Sequence, residues 1–375
     1  MIVPEADATW AADEFIKYFS QMGNIEDYLR FVKKEVIKST SSLAPLNDEF
    51  FNEDIHPQEM EFDIKFVGSR FQQSIPQEHY GNLLRAVSSH NNESNIPGRE
   101  LRWMVFEKKT QKVLGFIRFG SPTINSKPRN VWLGKAPNLS IFNRHAAMGF
   151  VIVPSQPFGY NYLGGKLMAA ICNSHDVRRM LNKKYDTEFC LFETTSLYGN
   201  IKGGSMYDGM RPFLRYKGDT QSKFLLTLGE ELYFELRDWF TEKNDGEDLI
   251  HKGASSRKLK MQTKMVGVIK ASLKQHDTHA HDLFCSAMDK ASGVTTQKRF
   301  YMGEYGYTNV RDILLGKTTQ LNKAENYDRF ELKNILTWWK NKASKRYDNI
   351  VADGRVRKKL EIWNADTMND IDIIR

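Results

Sequence analysis

Gly149-Phe150-Val151-Ile152-Val153-Pro154, followed by Gln156-Pro157-Phe158-Gly159-Tyr160-Asn161-Tyr162-Leu163-Gly164-Gly165, is the stretch that decides the fold. Its first six residues form a short, continuously apolar run of the kind buried inside a sheet. The glycine-rich segment then feeds a helical pattern over residues 163 to 181. A second apolar run, Glu188-Phe189-Cys190-Leu191-Phe192-Glu193-Thr194-Thr195, comes next. Strand, glycine turn, helix and strand in that order predict a parallel βαβ unit with a right-handed crossover.

The reading extends outward on both sides. Upstream, Leu101-Arg102-Trp103-Met104-Val105-Phe106 and Val113-Leu114-Gly115-Phe116-Ile117-Arg118-Phe119-Gly120 flank a polar tract and predict a β-hairpin. Residues 8 to 41 carry apolar side chains at helical spacing and predict two amphipathic helices, and 39 to 61 read as a polar linker. Downstream, Gly203-Gly204 precede a short helix over 205 to 210 and an extended Phe213-Leu214-Arg215-Tyr216-Lys217-Gly218. From 222 onward the pattern is helical, over 224 to 240, 252 to 276 and 328 to 350. The expected organisation is an N-terminal helical segment over 1–45, a mixed α/β domain over 62–220, and a basic, mainly helical domain over 222–375.

Bulk composition narrows the class. A chain of 375 residues with 41% hydrophobic and 12% aromatic content buries a substantial core, which excludes global disorder. No apolar run approaches the roughly 20 residues that span a bilayer, so no membrane partner is expected. The opening Met1-Ile2-Val3-Pro4-Glu5 lacks the basic-then-apolar pattern of a secretory signal. Cys172, Cys190 and Cys285 are widely spaced among apolar neighbours and read as reduced thiols, giving an expectation of a cytoplasmic protein. The formal charge of +8 admits a polyanionic partner.

A glycine turn between strand and helix can present bare amides at the positive end of a helix dipole, a setting for pyrophosphate. The same turn can also require small residues for packing alone. Gln156-x-x-Gly159, then Gly164-Gly165-Lys166, resembles the coenzyme A loop of the GNAT acyltransferases. The family has Gly or Ala where this chain has Asn161, and Pro157 removes one donor. The resemblance implies a GNAT-like mixed central sheet and acetyl-CoA or another acyl-CoA as donor. Gln156, Gly159, Tyr160, Gly164, Gly165 and Lys166 would hold the pyrophosphate, and Ile152 and Val153 would pair with the pantetheine arm. Ser205-Met206-Tyr207-Asp208-Gly209-Met210-Arg211-Pro212-Phe213 resembles the segment in which that family carries a tyrosine that protonates the leaving thiolate. Tyr207 is therefore a candidate general acid, with packing as the alternative. Glu193, near the end of the second strand, is a candidate general base or a structural carboxylate.

A narrower resemblance covers about residues 71 to 220. His79-Tyr80, Pro97-Gly98-Arg99-Glu100-Leu101-Arg102-Trp103, Val131-Trp132-Leu133-Gly134, Phe150-Val151-Ile152-Val153-Pro154 and Cys190-Leu191-Phe192-Glu193-Thr194 look like the Druantia DruA family. Such proteins are similar in turn to the phage DNA-modification protein Mom. The resemblance implies phage or anti-phage biology, DNA as the polymer, and a donor site that is altered.

Residues 252 to 276 carry seven Lys or Arg and no acidic residue, so Arg257, Lys258, Lys260, Lys264 and Lys270 are candidates for phosphate contacts or simply a solvated face. Lys340, Lys342, Lys345, Arg346, Arg355, Arg357, Lys358 and Lys359 form a second basic region. His276, His279 and His281 are candidate metal ligands, but their spacing cannot put all three on one helical face. No metal is assigned from them. Trp338-Trp339 reads as packing ahead of base stacking. Three functions survive this reading. They are a DNA base-modifying acyltransfer enzyme, a non-catalytic nucleic-acid-binding protein on the same scaffold, and a virion-associated structural protein.

Overall fold

The computed structural model describes residues 1–39, 47–68, 75–89, 98–197, 203–220, 226–254, 257–294 and 298–373. The chain divides into two compact units, one of residues 1–39, 89–97 and 221–296, the other of 40–88, 98–220 and 297–375. These boundaries differ from the expected ones. The N-terminal helices group with 221–296, and 297–375 belongs with the central sheet. Pro97, Phe224 and the first part of the expected linker lie outside the described residues.

The larger unit is a mixed α/β assembly on one sheet. Its strands are β1 (Phe62–Phe66), β2 (Glu100–Glu107), β3 (Val113–Gly120), β4 (Ala146–Pro154), β5 (Leu191–Ser196), β6 (Arg215–Asp219) and β7 (Arg299–Gly303). Among the described residues their order is β1-β2-β3-β4-β5-β7-β6. The expected hairpin is the β2–β3 pair, and the expected βαβ unit is β4 and β5, the one parallel pair in this sheet. That pairing joins Ala146–Met148 to Leu191–Glu193 and then stops, so the two strands part beyond Met148. β7, which the sequence reading missed, runs antiparallel to both β5 and β6.

Alternation along the strands builds two apolar clusters. Trp103, Ile117 and Phe119 pack with Leu167 and Met168, while Met104, Phe116 and Val151 pack with Tyr80 and Leu83. The single helix expected over 163 to 181 is split in two, and with the short helix before it the run is Phe158–Tyr162, Gly164–Cys172 and His175–Tyr185. Leu163 sits between the first two in a left-handed conformation, φ 55°. The second break comes where the Ser174 hydroxyl caps the next helix by accepting from the Val177 amide at 3.1 Å. Residues 205 to 210 form turns instead of a helix, with Gly203 before them and Gly209 among them at positive φ. The described end of the linker is packed too: Phe50 and Phe51 are 1% exposed, and Phe50 bridges Val113.

The smaller unit is helical: Glu5–Ser20, Ile25–Ser39, Glu230–Glu242, Arg257–His276 and Thr278–Gly293. Phe15, Phe19, Leu236, Met265, Ile269 and Phe284 form its core. The buried Gln262 carboxamide closes a polar gap, donating to the Leu226 carbonyl at 2.8 Å and accepting from the Leu228 amide at 2.9 Å. Among the described residues no helix is long and apolar enough to cross a membrane.

Two glycine substitutions test this packing. A Cβ on Gly303 would lie 1.9 Å from Asn173 Oδ1 and 2.5 Å from the Phe213 carbonyl, so Gly303→Ala should destabilise by at least about 1–3 kcal/mol. Gly267, exposed in its helix with open space at its Cβ, should become more stable by up to about 1 kcal/mol as Ala. Urea denaturation midpoints read both changes.

Candidate functional site

The loop after β4 makes its own hydrogen bonds. The Gly159 amide donates to the Ser155 carbonyl at 2.8 Å, Asn161 to Pro157 at 2.9 Å, and Lys166 to Leu163 at 2.9 Å. The Tyr160 amide is taken by the Gln156 side chain, Oε1 at 3.0 Å. These four amides are among the donors that a diphosphate would need, and each of the four already has an acceptor. The glycines are packed on both sides. A Cβ on Gly159 would meet Gln156 Nε2 at 2.4 Å, one on Gly164 the Phe158 ring at 2.6 Å, and one on Gly165 Met206 Sδ at 2.5 Å. Their smallness lets the loop fold onto itself.

Two later segments cover the loop. Helix Leu332–Ala352 brings Trp339 against Phe158, its indole N–H donating to the Leu163 carbonyl at 3.3 Å. Tyr347 stacks on Tyr162 at 5.0 Å between centroids. That helix ends in a left-handed Gly354, whose amide donates to Val351 while Arg355 donates to Ile350, and the chain turns back. The returning chain is held by the buried Asn161. Its Nδ2 donates to the Arg357 carbonyl at 2.8 Å, and its Oδ1 accepts from the Arg357 amide at 3.0 Å. Farther along, the Glu361 amide donates to the Gln156 carbonyl at 3.3 Å.

Lys166 does not project into an open loop. It donates to the Asp208 carbonyl, and burial, reinforced by Lys342, lowers its pKa against the opposing pull of Asp208. On β4, Ile152 is 6% exposed and Val153 is half-buried. The carbonyl of Gly149, where β4 and β5 part, accepts from the Thr194 hydroxyl at 3.1 Å.

Tyr207 and Glu193 are both buried and do not meet. Tyr207 reaches the parting of the two strands, near the Thr194 side chain and edge-on to Tyr301 at 5.3 Å. Burial is the largest influence on its phenol and raises the pKa above its usual value, away from that of a thiolate. Glu193 precedes Thr194 on β5, so strand alternation sends it to the other face of the sheet. There it pairs with Arg129 at 3.0 Å, both side chains fully buried. Arg129 also donates to the carbonyls of Thr123 at 3.0 Å and Ile124 at 2.7 Å and lies 4.2 Å from the Phe142 centroid. Burial pushes the Glu193 carboxyl up to about 7, with Arg129 pulling the other way. Sequence reading missed Arg129, whose only signal was an Arg in an apolar setting ahead of Val131-Trp132-Leu133.

In the helical unit, Arg257 is paired with Asp248 at 2.5 Å, and Lys258 lies over the Tyr233 ring at 5.1 Å, its pKa lowered by burial. Lys260, Lys264 and Lys274 are exposed and Lys270 is half-buried. His281 contacts Asp282 and Cys285, and among the described residues no group of three ligands could hold a metal. Trp339 is fully buried and Trp338 packs against Phe213, which accounts for both as packing.

With this geometry in hand, the family model "Druantia protein DruA" matches residues 21–203. The likeness is distant. The Druantia protein DruA of Escherichia coli (strain UMEA 4076-1) is 25% identical over 159 residues, 39% of this chain and 39% of that protein. The chain thus aligns with well under half of this relative's length. No solved structure matches. The family match takes in the loop and Glu193 and ends before Tyr207 and the chain that returns over Asn161.

The buried pair makes a quantitative expectation. Arg129→Met leaves a buried carboxylate without a partner and should cost about 3–5 kcal/mol, whereas Arg129→Met with Glu193→Met should recover much of the loss. Urea unfolding of the single and double variants measures it.

Proposed function

We propose that this protein is a non-catalytic nucleic-acid-binding protein of phage defence or counter-defence, built on an acyltransferase-like scaffold. The observation that carries the reading is the loop of Gln156 to Lys166. The amides of Gly159, Asn161 and Lys166 bond to carbonyls of the same segment, that of Tyr160 bonds to the Gln156 side chain, and Asn161 anchors the returning chain across it. A loop that holds a diphosphate keeps such amides for the anion. The Glu193 carboxylate is paired inside the protein, which leaves it no acceptor amine to deprotonate. The distant likeness to DruA supplies the biological setting. The polymer is argued from charge. Lys260, Lys264 and Lys274 lie exposed on one helix, and residues 340 to 359 bring eight Lys or Arg against two Asp.

One observation favours the enzymatic reading. β4 leaves the β5-facing side of Gly149 to Pro154 without strand partners, and Tyr207 stands at that parting. An acyl-CoA donor with Tyr207 as its acid would use that edge, and Glu193, on the opposite face, would not serve as the base.

Two measurements separate these readings. Under our proposal, duplex DNA is retained at low salt with affinity falling linearly on a log–log salt plot, and millimolar coenzyme A leaves the melting temperature unchanged. A mass-shifted nucleoside in DNA from cells expressing the protein, abolished by Tyr207→Phe, would replace our reading with the enzymatic one.

A further inference from the structure

Tyr160 projects from the loop with its ring half exposed, and three arginines converge on it. Arg357 lies 4.1 Å and Arg346 4.8 Å from the ring centroid, and Arg346 and Arg355 lie close enough to pull on the phenol electrostatically. The arginines come from two elements. Arg346 stands on helix Leu332–Ala352, and Arg355 and Arg357 follow the left-handed Gly354. Their partial partners are Asp353 for Arg355, and Glu361 at 3.3 Å with Asp372 at 3.5 Å for Arg357. Among the described residues no carboxylate pairs with Arg346, and its Nε is buried without a hydrogen-bond partner. Lys358 and Lys359 follow directly, both exposed.

Placing three guanidinium groups around one neutral phenol concentrates positive charge, and the ring faces and the Asn161–Arg357 bonds hold the groups in place. Although burial alone would raise the pKa of the phenol, Arg355 and Arg346 together draw it below its ordinary value, a sign of the local positive field. We infer that Tyr160, Arg346, Arg355 and Arg357 form a binding site for the backbone phosphates of a nucleic acid. Guanidinium forks match phosphate oxygens two at a time, and a repeating polyanion continues from this cluster onto Lys358 and Lys359. The inference rests on the nucleic-acid reading above and gives it a location.

The test is the salt dependence of DNA binding by the full chain. Arg346→Gln should lower the log–log slope by about 1, and Arg346→Gln with Arg355→Gln by about 2, with affinity lost alike across sequences. Arg346 is the safer single site because among the described residues no carboxylate pairs with it and its Nε has no hydrogen-bond partner. Equal melting temperatures for variant and wild type exclude unfolding as the cause of a loss. A slope unchanged in the double variant but reduced by Lys260→Gln with Lys264→Gln would overturn the arginine site and leave nucleic-acid binding standing. A melting shift with coenzyme A that disappears in Arg346→Gln would overturn it in favour of a nucleotide cofactor. Failure of the wild type to retain single- or double-stranded DNA or RNA at low salt would overturn the nucleic-acid reading itself.

Discussion

The two hydrogen bonds between the Asn161 carboxamide and the peptide of Arg357 close a span of 196 residues and fix what the loop after β4 can do. A buried carboxamide must satisfy both of its ends, and a single extended peptide does this with one donor and one acceptor. Once that peptide is docked, Arg357 lies over Tyr160, Glu361 reaches the Gln156 carbonyl, and the turn at Gly354 is fixed. The Asn161 side chain is thereby committed to a contact with the protein's own chain.

The same economy of partners governs the sheet. β5 is central, so its residues are buried on both faces, and a carboxylate there needs an internal cation. Arg129 meets that need for Glu193 and, with its remaining donors, holds the carbonyls of Thr123 and Ile124. One residue along, Thr194 turns to the other face, bonds the Gly149 carbonyl and receives Tyr207. A strand cannot bring two adjacent side chains to one cleft. Glu193 and Tyr207 are therefore parts of two different local structures, whatever chemistry either performs.

Those relations set what could be read in advance. The hairpin and the βαβ crossover were legible because their apolar runs are bounded by glycine and polar turns. β7 was not: Arg299–Gly303 is five residues long and its identity as a strand depends on partners 80 to 110 residues earlier. The break at Ser174 had a local signal, a serine followed by a charged helical start, which the apolar stripe masked. The glycines of the loop were visible, but whether an amide faces a ligand or its own chain is decided by how the loop folds onto Ser155, Gln156, Pro157 and Leu163. Charge counts likewise located basic stretches without distinguishing Arg257, tied to Asp248, from Arg346, held against a ring.

That distinction bears on how a surface of this charge would hold a polyanion. Fixing a lysine on an exposed helical face, such as Lys264, forfeits roughly 2 kcal/mol of rotamer entropy. Arg346 and Arg357 have already lost part of that freedom to Tyr160, and the Arg357 backbone is clamped by Asn161. Under the proposed nucleic-acid reading, less would remain to be lost on meeting a phosphate there. The bonds that occupy the Asn161 carboxamide also fix the backbone beneath the Arg357 side chain. The order of the loop and of the arginine beside it therefore follows from a single docking of the returning chain.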